Sequence, residues 1–224
     1  MKSSADTQIS KKQKTLHENA IIVFIKNPVL GKVKTRLAAT VGNERALTIY
    51  HELMHHTMSV TKHLEIDKYL FYSDFVDEND IWENDKFLKS VQFQTHDLGL
   101  KMASAFSVAF QNKHKKALII GSDCLELNTE IIKEAYSKLS ENEVVIGPAF
   151  DGGYYLIGFN FEEIGTQCEG VFEKIFLGKE WSHEGVCQEA KDACLALNLK
   201  CFELPTLTDV DEEKDYLKTK HLAL

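Results

Sequence analysis

Short β-branched apolar runs alternate with longer amphipathic stretches along this chain, and that alternation restricts the fold more than any other feature. Residues 20–25 (AIIVFI), 68–72, 90–95, 116–121 (KALIIG), 143–147 and 200–204 read as strands. A further strand follows the turn in PAFDGGYYLIGF. Helical spacing runs from 43 to about 64, where Leu47, Tyr50, Met54 and Met58 share a face, and again over 98–111, 129 to about 139 and 184–197. Thr129 is the expected N-cap of the third of these helices. Strand–helix alternation implies right-handed crossovers and a three-layer α/β/α arrangement around a mostly parallel, mixed sheet. Ligands of such sheets sit outside the carboxyl ends of the strands. The three most unusual segments, near 26–36, 121–124 and 148–153, all follow strands.

No repeat or linker divides the chain, so residues 20–224 are expected to form a single domain behind a polar, disordered lead-in over 1–19. A net charge of −8 argues against a nucleic-acid surface, which needs a clustered basic face. It still permits a small anion held in one locally basic pocket. The five cysteines are odd in number and form no C-x-x-C pair, which fits a reducing compartment. With no secretory h-region and no membrane-length apolar run, the expectation is a cytoplasmic protein without a membrane span.

Four segments carry candidate chemistry. The stretch from Lys26 to Arg36 places Lys26, Lys32, Lys34 and Arg36 in a loop shaped by Pro28 and Gly31, between a strand and a helix. Backbone N–H groups at such a loop suit phosphate, Gly31 permits close approach, and Lys34 and Arg36 can neutralise diphosphate charge. The same pattern also describes a solvated basic turn. Asp123 closes a buried strand, where a carboxylate can hold Mg²⁺ or Mn²⁺ while phosphates complete the shell; a turn aspartate is the plainer alternative. In Asp151-Gly152-Gly153 two glycines permit a turn that aims a carboxylate into a cleft, though D-G is also the ordinary hairpin signal. Asp209 and Asp211 can supply a second metal ligand, or Asp211 can cap a helix beginning at Glu212 and Glu213.

One motif competes. His51-Glu52-Leu53-Met54-His55 spells the H-E-x-x-H zinc pattern on a helix. The two histidines project away from the apolar face, however, and neither His63 nor His96 has the spacing of a third ligand. They read as a solvated helix face.

Taken in order, KNPVLGKVKTRLA, DLGLKMASAF, IIGSDCLEL, VIGPAFDGGYYLIGF and LPTLTDVDEEKDY resemble the bacterial glycosyltransferase-like family called radical-SAM/selenodomain-associated transferase 1, over roughly residues 20–217. That family is similar to phospholactate guanylyltransferase and the molybdenum-cofactor guanylyltransferases. The resemblance implies a GT-A-like nucleotide-diphospho-sugar transferase fold. It implies that Lys26, Gly31, Lys34, Thr35 and Arg36 form the nucleotide/phosphate loop and that Asp123 holds a divalent metal. It places Asp151, Gly152, Gly153 and Tyr154 on the acceptor side, and Asp209 and Asp211 as the late acidic pair. Asp123 and Asp151 would be the catalytic carboxylates. The sequence departs from the family at Leu125, Lys101 and His183, which bears on the acceptor side more than on the nucleotide grip. The function so implied is metal-dependent transfer from a nucleotide-sugar to a small-molecule acceptor. A nucleotidyltransferase that releases pyrophosphate is the alternative chemistry, and a non-catalytic nucleotide-binding module the alternative class.

Overall fold

A computed structural model describes residues 17–223. The lead-in expected over 1–19 therefore lies outside the described residues up to position 16. Seven strands make one mixed sheet: β1 (Asn19–Ile25), β2 (Asp67–Tyr72), β3 (Leu88–Val91), β4 (Lys116–Ile120), β5 (Val144–Pro148), β6 (Tyr154–Asn160) and β7 (Cys201–Glu203). Their order is β3-β2-β1-β4-β6-β5-β7. All neighbours are parallel except β6, which runs antiparallel to both β4 and β5. The helices are α1 (Thr35–Val41), α2 (Asn43–Thr61), α3 (Leu98–Gln111), α4 (Thr129–Lys138), α5 (Phe161–Ile164), α6 (Cys168–Phe176), α7 (Val186–Ala196) and α8 (Glu213–Thr219). No described helix is long and apolar enough to cross a membrane.

The period-two alternation of the strands sorts the interior into two cores. Ile21, Val23 and Ile25 of β1 face one core with Leu37, Ile49 and Leu53, so α1, α2, α4 and α8 cover that side. Ala20 and Ile22 face the other with Met102, Phe106 and Phe172, under α3, α5, α6 and α7. The central strands are buried on both faces, which is why they read as unbroken apolar runs.

Several sequence expectations shift. β3 covers Leu88–Val91 rather than 90–95, because Gln92 turns inward and donates from its amide to the carbonyls of Ile25 and Phe71. Asn128, not Thr129, caps α4, accepting from the Ile131 N–H. On α2 the buried stripe is centred on Ile49, Leu53 and Val60, with Leu47 and Met58 only half-buried. Helices α1, α5 and α6 have no counterpart in the sequence analysis. Glu212 rather than Asp211 caps α8, through a reciprocal box with Asp215, and this leaves the Asp211 side chain free to turn elsewhere.

Candidate active site

The chain leaves β1 at Ile25 and enters a loop held at both ends. The Tyr50 hydroxyl of α2 accepts from the Lys26 N–H at 2.8 Å and lies 3.0 Å from the Lys26 carbonyl, to which it donates. Asn27, buried, donates its amide to the Phe75 carbonyl, and its own amide oxygen accepts from the Asp74 and Phe75 N–H groups. The loop is thereby fastened to the segment that follows β2. Gly31 takes φ +74° at the turn and faces the Asn43 side chain. Lys34 then adopts a left-handed backbone (φ 47°, ψ 48°) immediately before α1. For a residue with a Cβ that conformation costs on the order of 1 kcal/mol. It aims the side chain into the fold.

There the Lys34 ammonium meets two carboxylates. Nζ lies 2.9 Å from Asp123 Oδ2 and 3.4 Å from Asp211 Oδ1, and Arg36 Nη1 lies 3.2 Å from Asp211 Oδ2. The Lys34 side chain is 8% exposed, Asp123 36% and Arg36 64%. Burial alone would push the lysine pKa down, but Asp123 and then Asp211 outweigh it and hold the ammonium above its ordinary range. Burial likewise opposes ionisation of Asp123, and the Lys34 charge reverses that, holding the carboxyl below its usual value. Asp209 has no such partner. Burial, reinforced by the Asp123 charge, raises its pKa well above the carboxylate range, and its Oδ1 is buried without a hydrogen bond.

The acidic segment reaches this place through tertiary contacts. The Val210 N–H donates to the Asp123 carbonyl at 2.8 Å, the Thr208 N–H to the Glu126 carboxylate, and the Phe150 N–H to the Leu207 carbonyl. Residues 207–211 are thus laid between the end of β4 and the β5–β6 turn.

All these groups border one cleft of about 660 Å³, a size ordinary for a small-ligand site. Lys26, Lys34, Thr35 and Arg36 line it on one side, and Asp123, Asp209 and Asp211 at the base. Asp151, Gly153 and Tyr154 line it from the β5–β6 turn. Gly31 and Gly152 are not among the lining residues. Gly31 shapes the turn. Gly152, at φ +91°, lies so close to the Glu184 backbone that an added Cβ would come within 2.1 Å of its carbonyl oxygen. Asp151 is partly used by the turn, since its Oδ1 accepts from the Gly153 N–H at 2.9 Å. Arg36 and Asp123 do not touch; Lys34 and Asp211 link them.

Other wall residues carried little sequence signal. Tyr50 reads as an apolar helix position, yet its hydroxyl clamps Lys26 and meets Ser122 at 3.3 Å. Lys101, Trp181 and His183 also line the cleft. His183 Nδ1 accepts from the Gly185 N–H, while Nε2 faces Glu189 at 3.6 Å. Of the H-E-x-x-H residues, His55 is exposed and Glu52 accepts from the Tyr216 hydroxyl at 2.6 Å, tying α2 to α8.

Solved structures share this architecture. A candidate nucleotide-diphospho-sugar transferase from Desulfovibrio desulfuricans G20 is 31% identical over 87% of this chain and 83% of its own, with a TM-score of 0.76. A 4-diphosphocytidyl-2C-methyl-D-erythritol synthase from Anaerococcus prevotii DSM 20548 gives a TM-score of 0.56 at 13% identity, over 91% of this chain and 94% of that one. CMP:2-keto-3-deoxy-manno-octonic acid synthetase, solved with CTP, gives 0.56 at 9% identity, over 91% and 97%. The fold is therefore the mixed α/β fold of nucleotide-diphospho-sugar transferases and cytidylyltransferases. Residues 56–183 match the profile of a family described as an uncharacterized protein conserved in bacteria (DUF2064), and the chain belongs to that family. No curated protein matches the sequence.

Proposed function

We propose that this protein is a metal-dependent transferase that grips the phosphates of a nucleotide donor between the Lys26–Arg36 loop and the Asp123–Asp211 carboxylates, and that the donor is a nucleotide-sugar. The observation that carries the reading is the buried Lys34 ammonium, held between Asp123 and Asp211 at the base of a ligand-sized cleft. A left-handed, buried lysine is an expensive way to make a surface ion pair, and a natural way to fix a cation against phosphate. The 31%-identical relative, a candidate nucleotide-diphospho-sugar transferase, supports the sugar-nucleotide donor. The more specific assignment to the radical-SAM/selenodomain-associated transferases, in the cytoplasm, belongs to the same proposal.

The carboxylates fit a divalent ion. Among the described residues no group of three or more His, Cys, Asp or Glu side chains is arranged to hold a metal by itself. Mg²⁺, however, commonly takes only one or two carboxylates and draws its remaining ligands from phosphate and water. Asp123 and Asp211 would hold Mg²⁺ or Mn²⁺, and the unpartnered Oδ1 of Asp209 is a third oxygen at the same place. When bound, the ion would neutralise phosphate charge as a Lewis acid. Lys34 and Arg36 then offset the charge that develops on the leaving phosphate, from positions fixed before the donor arrives. Asp151 keeps its second carboxylate oxygen to orient, and take the proton from, an acceptor hydroxyl.

A second chemistry has its own support. Lys26, Lys32, Lys34 and Arg36 together line the cleft, a positive charge that suits a triphosphate as well as a diphosphate, and cytidylyltransferases share the fold. A thermal-shift screen of nucleoside triphosphates and sugar nucleotides, with and without Mn²⁺, tests both. Metal-dependent stabilisation by a sugar nucleotide, with release of a nucleoside diphosphate on turnover, supports glycosyl transfer. Stabilisation by a triphosphate, with pyrophosphate released, selects nucleotidyl transfer. Asp123→Asn should weaken the metal-dependent response tenfold or more, about the loss expected for one charge-assisted contact. No nucleotide response at all would overturn the proposal.

A further inference from the structure

The wall opposite the Lys26–Arg36 loop is built from different material. It comprises the first turn of α3, the loop before α7 and the start of β6, all packed on the second core. Lys101, Met102, Tyr154 and Trp181 face the cleft from it. Lys101 is half-buried, and its ammonium has no ion-pair or hydrogen-bond partner among the described residues. Its nearest acidic neighbour in sequence, Asp97, is committed to capping α3 through the Gly99 and Leu100 N–H groups. The Trp181 indole packs against the same core as Met102 and Tyr154, and its Nε1–H is buried without an acceptor. Ammonium and indole are both donors only. A cleft wall that offers a cation and a desolvated N–H, with no acceptor supplied by the protein, leaves that acceptor to a ligand.

The wall is rigid where these donors sit. A Cβ on Gly99 would fall 2.0 Å from the Phe176 carbonyl oxygen, so α3 begins in direct backbone contact with the end of α6. The Trp181–Glu184 loop is held in the same way, since Gly152 abuts Glu184 and the Cys187 N–H donates to the Gly152 carbonyl at 2.9 Å. On the other wall, Lys34 and Arg36 are each matched to a carboxylate. The two cationic groups approach the cleft from opposite faces of the sheet and do not serve one phosphate chain in the same way.

We infer that Lys101 and the Trp181 indole form a second anion subsite, which receives a phosphate or carboxylate group of the acceptor. The inference rests on the transferase reading and gives it a substrate class: an acceptor that carries both a nucleophilic hydroxyl and an anionic group.

The test is calorimetric titration of inorganic phosphate, and separately of acetate, into full-length protein. Each titration is run alone and after saturation with Mn²⁺ and whichever nucleoside diphosphate stabilises the protein most. In the nucleotide-loaded protein one anion should bind saturably. Lys101→Gln should weaken that binding tenfold or more, the size of one charge-assisted contact. Trp181→Phe, which keeps the ring and removes the N–H, should weaken it several-fold, and Lys101→Arg should restore it. Preference for phosphate over acetate would identify a phosphorylated acceptor, and the reverse a carboxylic one. The subsite is refuted if neither anion binds the nucleotide-loaded protein, or if Lys101→Gln binds it as wild type does. In both of those outcomes nucleotide binding stays intact and the transferase reading stands. A protein that fails to bind any nucleotide overturns the transferase reading, and the acceptor assignment falls with it.

Discussion

The two walls of the cleft solve different problems. The α1 side is ionic: Lys34, Arg36, Asp123 and Asp211 compensate one another, so the charges needed for a donor are stored in a folded state that tolerates them. The α3 side is aromatic and apolar, with donors left uncompensated and held in place by close backbone contacts at Gly99 and Gly152. One wall is fixed by Coulomb attraction and the other by packing, and they should therefore fail differently when altered.

The largest effect is expected on the ionic wall. Lys34→Ala leaves Asp123 and Asp211 facing each other without their shared cation. The cost should be roughly 2–4 kcal/mol, somewhat below that of a fully buried pair because Asp123 is 36% exposed. Thermal unfolding should show a clearly lower midpoint and no nucleotide-dependent stabilisation. An unchanged midpoint would mean that the lysine contributes nothing to the fold.

Next comes the packed wall. Gly152→Ala forces a Cβ into the Glu184 backbone at a φ that side chains avoid, and should cost roughly 1–3 kcal/mol in urea unfolding. Because the displaced segment carries Trp181, tryptophan emission should shift as well. If stability and emission both match wild type, the second wall is not held as described.

Arg36→Gln separates binding from stability within the ionic wall. Arg36 is 64% exposed, so its pair with Asp211 should contribute at most about 1 kcal/mol to folding. Donor affinity should nevertheless fall about tenfold. A variant that binds nucleotide normally would remove Arg36 from the site.

The smallest effect concerns acid. His56 of α2 and His114, which follows α3, both have pKa values lowered first by burial. A group whose folded pKa lies below its unfolded value makes the unfolded chain the better proton binder. Stability should therefore be intact above pH ~6.5 and decline as pH falls through that value. His56→Asn and His114→Asn should each flatten part of the decline in midpoint between neutral and mildly acidic pH. The larger flattening identifies the side of the sheet that is more sensitive to acid.

Much of the fold was legible because its signals are local. The runs at 20–25 and 116–121 are apolar on both faces, as buried central strands must be, and the helix over 98–111 is marked by Asp97 and by its spacing. Helix α1 was hidden because Thr35–Val41 is short and follows a loop whose basic residues dominate the pattern. Helix α6 carries Val171, Phe172, Ile175 and Phe176 on one face, a spacing that could have revealed it. In the site, the Lys26–Arg36 loop and Asp123 stood out by residue type and by position after strands. Tyr50 did not, because a tyrosine on an apolar helix face looks the same whether or not its hydroxyl is used. Asp209 and Asp211 were ambiguous between capping and binding, and that choice turned on Glu212 taking the cap.

By itself the sequence determined which segments are strands and helices, that the sheet is covered on both sides, and which loop carries the cations, since periodicity, burial pattern and charge are written residue by residue. Only the tertiary structure decided that Lys34 meets Asp123 and Asp211, and that Lys101 and Trp181 face them across a cleft. Those encounters join positions as far apart as 34 and 211, and such distances close only when the whole sheet has formed.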